Sequence, residues 1–422
     1  MSKLKKFFAV TVILILVIVL LLQVDDELSP EATSMLENIE WQKSNDAHIY
    51  LLGIGAALGE DPNVEGRLVL AQIRKAEESY AQPSSNDWGY YKQRPTIDLP
   101  EHDSFCSVKE VDCIASLFIQ SDIDLNDPLM IEVKHRHETF LKLGGFTTMT
   151  KPHLFEPFAN FVFLVKGNRL VSLNAIENAK KCCPEDAMNQ LYAHIELLKK
   201  HIKETDTLIG QMIAYVLLNE TIDVLSLLIE KYDLAGRPIE LLTSEELGLD
   251  RVMDRELAFG SSILQPNVFQ ESYKPLPKWM IKTVFKPNMI TNASAVSYLS
   301  VKEISMLPQV DFIDAIEGQV NDKFKVSDVR NLLGYYLNKI STNNNFNRYI
   351  ARGFDLNSKI TLFNGMLGKP LNDDVLSGIA NPYYREDYDA DYDAQISRVC
   401  FGGPYEIVGF ARCLVTFKEL VE

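Results

Sequence analysis

The chain has 422 residues, of which 46% are hydrophobic and 24% are charged, a composition typical of a folded globular protein. This length suffices for one large domain or for two to three smaller ones. The formal net charge at pH 7 is −16, and an acidic surface repels the phosphates of nucleic acids. Composition and charge therefore exclude a largely disordered chain and argue against a nucleic-acid partner, although solubility alone would also explain the acidic excess.

The N-terminus has the pattern of a membrane anchor. A basic tail over residues 1–6, MSKLKK, precedes the apolar run FFAVTVILILVIVLLL. Extended to Val24, this run would form a helix about 27 Å long, close to the hydrocarbon thickness of a bilayer. The lysines favour a cytoplasmic tail and place the chain from about residue 25 in the periplasm. We therefore predict an inner-membrane transmembrane anchor over residues 7–24, with a cleaved signal peptide or a buried core helix as alternatives.

Six cysteines fit an oxidising compartment such as the periplasm. The short loops between them favour two disulfides, Cys106–Cys113 and Cys400–Cys413. The adjacent Cys182 and Cys183 are compatible with a free thiol pair or with bridges elsewhere. The alternative for all six is a reduced, buried state. No C-x-x-C motif is present in the sequence, so a zinc ribbon or a thioredoxin-like redox centre has no support.

Helix-start signals recur along the chain. Proline follows a capping residue at Ser29-Pro30 and Asp61-Pro62, and Asn126-Asp127-Pro128 predicts a helix that continues to about Leu143. Capping boxes at Ser107/Glu110 and Thr243/Glu246 predict helices there, the second over about 244–262. Apolar residues spaced three and four apart predict packed antiparallel helices over 155–233. Further helices are expected from Ser29 to Trp41, near 291–305 and at 326–342.

The C-terminal segment 371–422 differs in character. It begins with an acidic stretch and ends with two β-rich runs, Ile396–Cys400 and Ile407–Thr416, on either side of Gly402-Gly403-Pro404. This pattern predicts a β hairpin joined by its cysteines. The predicted fold class is therefore mainly α: an antiparallel helical body over residues 25–370, one N-terminal transmembrane helix, and a small C-terminal β hairpin.

The stretch LLGIGAALGEDPNVEG, residues 51–66, raises the question of a nucleotide site. Gly53, Gly55 and Gly59 follow a spacing similar to that of a dinucleotide-binding turn. In that fold the turn opens a helix whose amides face a pyrophosphate. Here Glu60 and Asp61 would place two carboxylates where the phosphate has to bind. We therefore predict a structural turn and expect no cofactor.

No residue pattern identifies a catalytic or metal site. Asp387, Asp389, Asp391 and Asp393 alternate within YYREDYDADYDAQ, residues 383–395, but an EF-hand loop starting at Asp389 would have Ala394 and Cys400 where glycine and glutamate are required. A solvated acidic loop is favoured, with a loose calcium site as the alternative. His135 and His137 are two apart on a predicted helix and face different directions. Ligands drawn from the distant residues His102, His153, His194 and His201 stay an open alternative.

Several segments taken together resemble a group of uncharacterised, single-anchor envelope proteins of Gram-negative bacteria. They are NDAHIYLLGIGAALGEDPNVEG, FCSVKEVDC, TLIGQMIAYVLLNETIDVLSLL, FKPNMITN and NRYIARGFDLNSKI. The resemblance covers most of residues 40–370 and implies an exported helical body. It implies no activity, cofactor or catalytic residue.

The sequence is compatible with two functions. The first is a membrane-anchored periplasmic binding or scaffold protein, which would use helical grooves to hold an envelope protein partner. The second is an envelope enzyme, hydrolase-like, whose site is assembled from distant residues. A pocket with close polar groups of perturbed pKa would favour the enzyme, whereas an open groove without them would favour binding.

Overall fold

The structure is a computed structural model of the full chain. It describes residues 3–39, 44–78, 95–107, 110, 113–119, 123–153, 156, 159–264, 277–318, 326–342, 345–385, 389–406 and 411–417. Its helices in chain order are α1 (Lys3–Leu21), α2 (Pro30–Glu37), α3 (Asp46–Gly53), α4 (Pro62–Glu78), α5 (Cys113–Ile119), α6 (Pro128–Lys142), α7 (Phe161–Lys181), α8 (Pro184–Glu204), α9 (Leu208–Tyr232), α10 (Ser244–Leu247), α11 (Asp250–Ile263), α12 (Lys278–Val284), α13 (Pro287–Ser305), α14 (Phe312–Glu317), α15 (Leu332–Thr342), α16 (Asn345–Met366) and α17 (Asp373–Ser377). Three short 3₁₀ turns lie at Asp103–Phe105, Gln309–Asp311 and Val326–Asn331.

Helix α9 is the centre of the body. It packs against α7, α8 and α16, and most of its residues are buried. Its start is capped by Thr207, whose hydroxyl accepts a hydrogen bond from the Gly210 amide at 3.2 Å. Its end is a left-handed residue, Asp233, with φ of 50°. Since short turns join α7 to α8 and α8 to α9, these three helices are antiparallel neighbours.

The prediction of a mainly helical protein is confirmed, and one of the predicted helices is divided in two. The segment predicted as 155–233 forms α7 to α9. The single helix predicted over 244–262 is instead two, α10 and α11, because the chain is extended at Gly248, where ψ is 139°. The Leu249 amide then donates to the Ser305 hydroxyl at 3.1 Å. Tertiary hydrogen bonding therefore divides a segment whose pattern is continuous.

The C-terminal element is a three-stranded antiparallel sheet, which corrects the predicted hairpin. Its strands are β1 (Asp391–Asp393), β2 (Arg398–Cys400) and β3 (Cys413–Val415), in the order β1-β2-β3. Cys400 lies opposite Cys413 in the register of β2 and β3. The added strand β1 comes from the acidic stretch and pairs with the free edge of β2. The sheet packs on α9 and α16 and shares their hydrophobic core.

Two helices have strongly apolar sequences. Helix α9 is long and apolar enough to cross a membrane by length and composition, but 83% of its most apolar window is buried inside the body. In α1 the apolar part is the shorter stretch Phe7–Leu21. The helix ends at Leu21, three residues before the end of the predicted span 7–24, and a turn follows, in which the Gln23 amide donates to the Leu20 carbonyl at 3.1 Å. The described apolar side chains of α1 are exposed, Phe7 by 72%, apart from the half-buried Val19.

Candidate functional site

The glycine-rich stretch 51–66 joins α3 to α4 by close backbone contact. A Cβ atom added at Gly53 would lie 2.0 Å from the Pro62 carbonyl oxygen, and one added at Gly66 would lie 1.8 Å from the Ile49 carbonyl oxygen. Gly59, with φ of 85°, provides the left-handed turn between them. The glycines therefore serve helix packing and chain reversal.

The turn of this stretch encloses the side chain of Arg136 on α6. The buried guanidinium donates through Nη1 to the carbonyls of Ile54 and Ala56, at 3.0 and 2.5 Å. It donates through Nη2 to the carbonyls of Ala57 and Glu60, at 3.0 and 3.3 Å. A phosphate site needs converging amide donors, whereas these are converging carbonyl acceptors. The electrostatic polarity of the turn is the reverse of that of a nucleotide site.

We expect Arg136→Met to destabilise the fold by about 2–3 kcal/mol, because it leaves buried carbonyls without donors. Hydrogen exchange of the amides of residues 54–60 should accelerate, and the free energy of unfolding can be measured by urea denaturation. Arg67→Met is the matched control, since Arg67 is exposed on the adjoining helix α4. Equal effects of the two substitutions would contradict the structural role given to Arg136.

A polar group of side chains, here called the Arg255 cluster, consists of His48, Thr148, Thr150, Glu156, Asp206 and Arg255, all of them buried except Glu156, which is half-buried. Arg255 on α11 is ion-paired with Glu156, which also accepts a hydrogen bond from the Thr150 hydroxyl. Asp206, between α8 and α9, accepts from the Thr148 amide at 2.8 Å and from its hydroxyl at 2.7 Å. The cluster thereby ties α11 to the loop before α7.

The pKa values in the Arg255 cluster depart from the ordinary values because its members are buried. Desolvation raises the pKa of Glu156 and of Asp206, and the attraction of Arg255 works against this rise. Burial lowers the pKa of His48 to about 3, with Arg255 adding to the effect. Both carboxylates are engaged by hydrogen-bond donors inside the protein. The arrangement therefore has perturbed groups of the kind found in enzymes, but in a closed packing.

A second charged group, the Asp223 cluster, joins the helices to the sheet. Asp223 on α9 is ion-paired with Lys359 Nζ on α16 at 2.8 Å and accepts a hydrogen bond from Arg398 Nη1 on β2 at 3.3 Å. All three side chains are buried. Burial lowers the pKa of Lys359 to about 8, although the Asp223 carboxylate opposes the shift. This cluster holds the C-terminal sheet against the central helix.

A third charged group supports an open groove. Asp355 on α16 accepts from the Tyr383 hydroxyl at 2.6 Å and from Arg412 Nη1 at 2.9 Å. Arg412 also donates through Nη2 to the main-chain carbonyl of Tyr405 at 2.7 Å. The segment around Tyr405 is thus attached to α16 through buried side chains.

The groove, here called the Tyr405 groove, lies between α14 and the C-terminal element. Its volume is about 400 Å³, and it is lined by Ile313, Ile316, Glu317, Asn347, Tyr384, Pro404 and Tyr405. The lining tyrosines and isoleucines are half-buried, and Arg348 lies over the Tyr405 ring at 5.9 Å from its centroid. This volume is in the range of small-ligand sites, about 300–1,000 Å³. A second, smaller pocket of about 210 Å³ lies between α7 and residues 123–126.

The histidines do not gather around a metal. His137, His194 and His201 lie close together in the core, with 5.5 Å between the ring centroids of His137 and His194. His194 Nε2 is 2.7 Å from the Asn168 side-chain oxygen. Within the described ranges, no group of three or more His, Cys, Asp or Glu side chains is arranged to hold a metal ion. Of the pair on α6, His135 is exposed and His137 is buried, as their spacing predicts.

The six cysteines lie in three pairs at disulfide distance. The Sγ atoms are 2.06 Å apart in Cys106–Cys113 and 2.07 Å apart in Cys400–Cys413, the two pairs expected from the sequence. The adjacent Cys182 and Cys183 form the third pair, at the turn between α7 and α8. Arg169, itself ion-paired with Glu220 at 2.8 Å, places Nη1 at 3.3 Å from Cys106 Sγ.

The acidic stretch is only partly described. Asp391 and Asp393 lie on the exposed face of β1, and Asp393 accepts a hydrogen bond from the Gln395 amide at 2.9 Å. Asp387 lies outside the described residues. The calcium alternative for residues 383–395 therefore gains no ligand set from the described part of the stretch.

Comparison with known proteins gives no match: no protein-family model, no curated protein and no solved structure is similar to this chain. The site assignment therefore depends on the geometry alone. Sequence reasoning missed the Tyr405 groove, although two segments that form it lie in stretches that the sequence analysis considered. Tyr384 belongs to the stretch interpreted as an acidic loop, and Pro404-Tyr405 follows the glycine pair interpreted as a hairpin turn. Only the packing of α14 on this element brings them together.

Proposed function

We propose that the protein is a membrane-anchored periplasmic binding protein that holds a basic, partly apolar peptide segment of an envelope partner in the Tyr405 groove. The observation that carries this proposal is the separation of two features. The groove is open and preformed, whereas the ionic groups of the Arg255 and Asp223 clusters are engaged by partners inside the protein. Burial raises the pKa of the Asp355 carboxyl beneath the groove, but this carboxyl is likewise engaged, by the Tyr383 hydroxyl and by Arg412. This is the combination that favours binding over catalysis.

The anchor is supported by the exposure of α1. An apolar helix whose side chains the body leaves uncovered would be costly in water, at roughly 25 cal/mol for each Å² of apolar surface. The apolar stretch Phe7–Leu21 is bounded on both sides by charge. Lysines precede it, and Asp25 and Asp26 follow it. A stretch of this length is shorter than an average bilayer core, and local thinning of the bilayer accommodates such a mismatch at modest cost. The basic tail favours a cytoplasmic N-terminus.

The peptide chemistry follows from the lining and rim of the groove. Tyrosine, isoleucine and proline surfaces suit apolar and aliphatic side chains, and tyrosine faces attract cations. Among the described residues around the groove, Asp314, Glu317 and Glu406 are exposed carboxylates. The cations are Arg385, which is ion-paired with Asp311, and Arg348, which lies over the Tyr405 ring. The four carboxylates outnumber the two guanidinium groups. The potential at the groove is therefore negative, and it favours a lysine- or arginine-containing segment.

The enzyme alternative has the Arg255 cluster as its strongest support. Raised pKa values of two carboxyl groups beside an arginine are typical of acid–base sites. However, a general acid or base must reach a substrate atom within hydrogen-bond distance. The carboxylates of this cluster instead accept hydrogen bonds from Thr148 and Thr150 in the core. Their burial and pairing suit a structural role.

The test is peptide binding to the full-length protein in lipid nanodiscs. A fluorescent hexapeptide of alternating leucine and lysine is expected to bind more tightly than its leucine–glutamate counterpart, as measured by anisotropy. Tyr405→Ala should weaken binding about tenfold or more, as truncation of a buried aromatic anchor does. The Arg412 contact survives this substitution, because it is made to the main-chain carbonyl. Glu317→Lys should weaken binding of the lysine peptide roughly tenfold by charge reversal.

Glu196→Lys is the matched charge control, since Glu196 is exposed on α8 and does not line the groove. It makes the same change in net charge as Glu317→Lys. If the two charge reversals weakened binding equally, only the general acidity of the protein would be responsible. If Tyr405→Ala left peptide binding unchanged, the Tyr405 groove could not be the peptide site.

A further inference from the structure

The segment that follows α1 is attached to the body directly. Asp25 accepts a hydrogen bond from the Asn288 amide at 3.0 Å, and the Asn288 side chain donates to the Asp26 carbonyl at 2.8 Å. Asn292 binds both the Glu27 carbonyl, at 2.9 Å, and the Ser29 amide, at 2.7 Å. The first two turns of α13 therefore hold residues 25–29.

Arg330 provides a second attachment from a different element. Its Nη2 donates to the Val24 carbonyl and to the Asp26 carboxylate, both at 3.0 Å. Three residues separate Leu21, the last residue of α1, from Asp25, and a fully extended chain covers at most about 14 Å over these four Cα–Cα steps. The body surface around Asn288 and Arg330 is therefore held close to the end of the apolar helix.

This part of the body has a small core of its own. Ile281, Phe285 and Ile290 form a buried cluster against which Leu333 and Leu337 pack, separate from the main core. Helix α12, the 3₁₀ turn Val326–Asn331, α15 and the start of α13 surround it. The attachment residues Asn288 and Arg330 thus belong to a packed unit with a defined outer surface.

The outer surface of this unit carries exposed apolar side chains. Val284 is 40% exposed, Val329 58%, Leu332 43% and Tyr336 56%. Leu332 and Tyr336 are four residues apart and share one face of α15. Val329 adjoins Arg330, which is itself attached to the anchor segment. We call these four side chains the anchor-side face.

We propose that the anchor-side face lies in the headgroup layer of the membrane from which α1 emerges, so that the body rests on the bilayer in one orientation. The inference rests on the anchor of the proposed function and is independent of the groove. Its occupant is the lipid surface, because the short attached segment brings this face to the end of the apolar helix. A tyrosine with an arginine and short aliphatic side chains is the composition that the bilayer interface favours.

The orientation has a consequence for the groove. Helix α13 begins at the attachment residues and, at 1.5 Å per residue, is about 28 Å long. The chain enters α14, which lines the Tyr405 groove, only after the far end of α13. The groove is therefore at the end of α13 remote from the attachment to the anchor.

The test is photocrosslinking to lipid in the full-length protein reconstituted in phosphatidylethanolamine–phosphatidylglycerol vesicles. In separate variants, p-benzoylphenylalanine replaces Leu332, Tyr336, Val162 and Val64. Val162 and Val64 are exposed by 58% and 57%, on α7 and α4, and are the exposure-matched controls. Lipid adducts, measured by mass spectrometry, are expected to be at least fivefold more abundant at positions 332 and 336 than at the controls.

Adduct yields at 332 and 336 that do not exceed those of the controls would overturn the inference, as would crosslinks there to a second copy of the chain. Flotation of the vesicles is measured on the same samples. If the protein failed to float with the lipid, the anchor itself would be wrong. If the protein floated but gave no lipid adducts at 332 and 336, the anchor would be supported, and only the membrane contact of the anchor-side face would be wrong. An unchanged thermal midpoint in each variant establishes that it is folded.

Discussion

The free energy of unfolding is expected to fall when the pH is lowered from 7.5 to 5, because four buried histidines are held neutral in the fold. Burial lowers the pKa of His194 and of His201 to about 4 and that of His48 to about 3. The pKa of His137 is well below its ordinary value, through burial first and then through repulsion by the other two core histidines. In the unfolded chain each histidine titrates near pH 6.5.

The sign follows from proton uptake. Between pH 6.5 and about 4 the unfolded state binds protons that the folded state does not, so stability is complete above pH 6.5 and is lost as the pH falls. Each such histidine lowers the free energy of unfolding at pH 5 by about 2 kcal/mol relative to its value at pH 7.5. The raised pKa values of Glu156 and Asp206 act in the opposite direction. A substitution at one histidine isolates its own contribution.

His137→Leu provides that measurement. Both ring nitrogens of His137 lack a hydrogen-bond partner among the described residues, so the substitution removes no such bond. Any packing cost is the same at both pH values and cancels in the difference. Urea unfolding at pH 7.5 and 5 should show a pH-dependent loss of stability that is smaller by about 2 kcal/mol than in the unsubstituted protein.

The control is His135→Leu, two residues away on the exposed side of the same helix. It is expected to leave the pH dependence of stability unchanged, because the His135 side chain lies in solvent rather than in the core. If His137→Leu and His135→Leu changed the pH dependence equally, burial could not be its cause.

Local sequence patterns predicted the helices. The third strand and the break at Gly248 depend on contacts between residues that are far apart in the sequence. The Asp127-Pro128 cap and the three-and-four spacing of α8 and α9 lie within one helix each, so they can be detected in the sequence. The third strand could not be predicted in this way, because β1 depends on the free edge of β2 rather than on its own alternation. The break at Gly248 likewise depends on Ser305, which lies 56 residues away from its partner Leu249.

The charged clusters were beyond prediction for the same reason. Asp223 and Arg398 are 175 residues apart, and nothing near either of them shows that they pair. Acidic and basic residues are common enough that many pairs can be drawn along this chain. The Arg136 contacts show a related limit: glycine spacing indicated a turn, but only the packing of α6 shows that the carbonyls of that turn point inward to a cation.

Asp223→Asn is expected to destabilise the protein by about 3–5 kcal/mol, the range seen when one member of a buried ion pair is removed. The substitution keeps the size of the side chain but leaves Lys359 and Arg398 buried without their carboxylate. The Val415 amide, which donates to Asp223 Oδ1 at 3.3 Å, can still bond to the asparagine oxygen. The loss of stability therefore measures the removal of the carboxylate charge rather than the loss of the hydrogen bond from Val415.

The double variant Asp223→Asn, Lys359→Met separates charge from packing. Methionine has nearly the length of lysine without its charge, so it removes one of the two stranded cations and should recover a substantial part of the lost stability. Urea unfolding of Asp223→Asn, of Lys359→Met and of the double variant completes a double-mutant cycle. Glu177→Gln, in the exposed Glu177–Lys181 pair of α7, is the control and should change stability by less than about 0.5 kcal/mol.

A loss in the double variant equal to the sum of the losses in Asp223→Asn and Lys359→Met alone would show that Lys359 and Asp223 are not coupled. The expected recovery has a further consequence for the groove, because the same sheet carries Cys400 on β2, and the chain continues from there to Tyr405. Loosening β2 from α9 should therefore weaken peptide binding in Asp223→Asn. Recovery of both stability and binding in the double variant would show that the Asp223 cluster positions the C-terminal element that completes the groove.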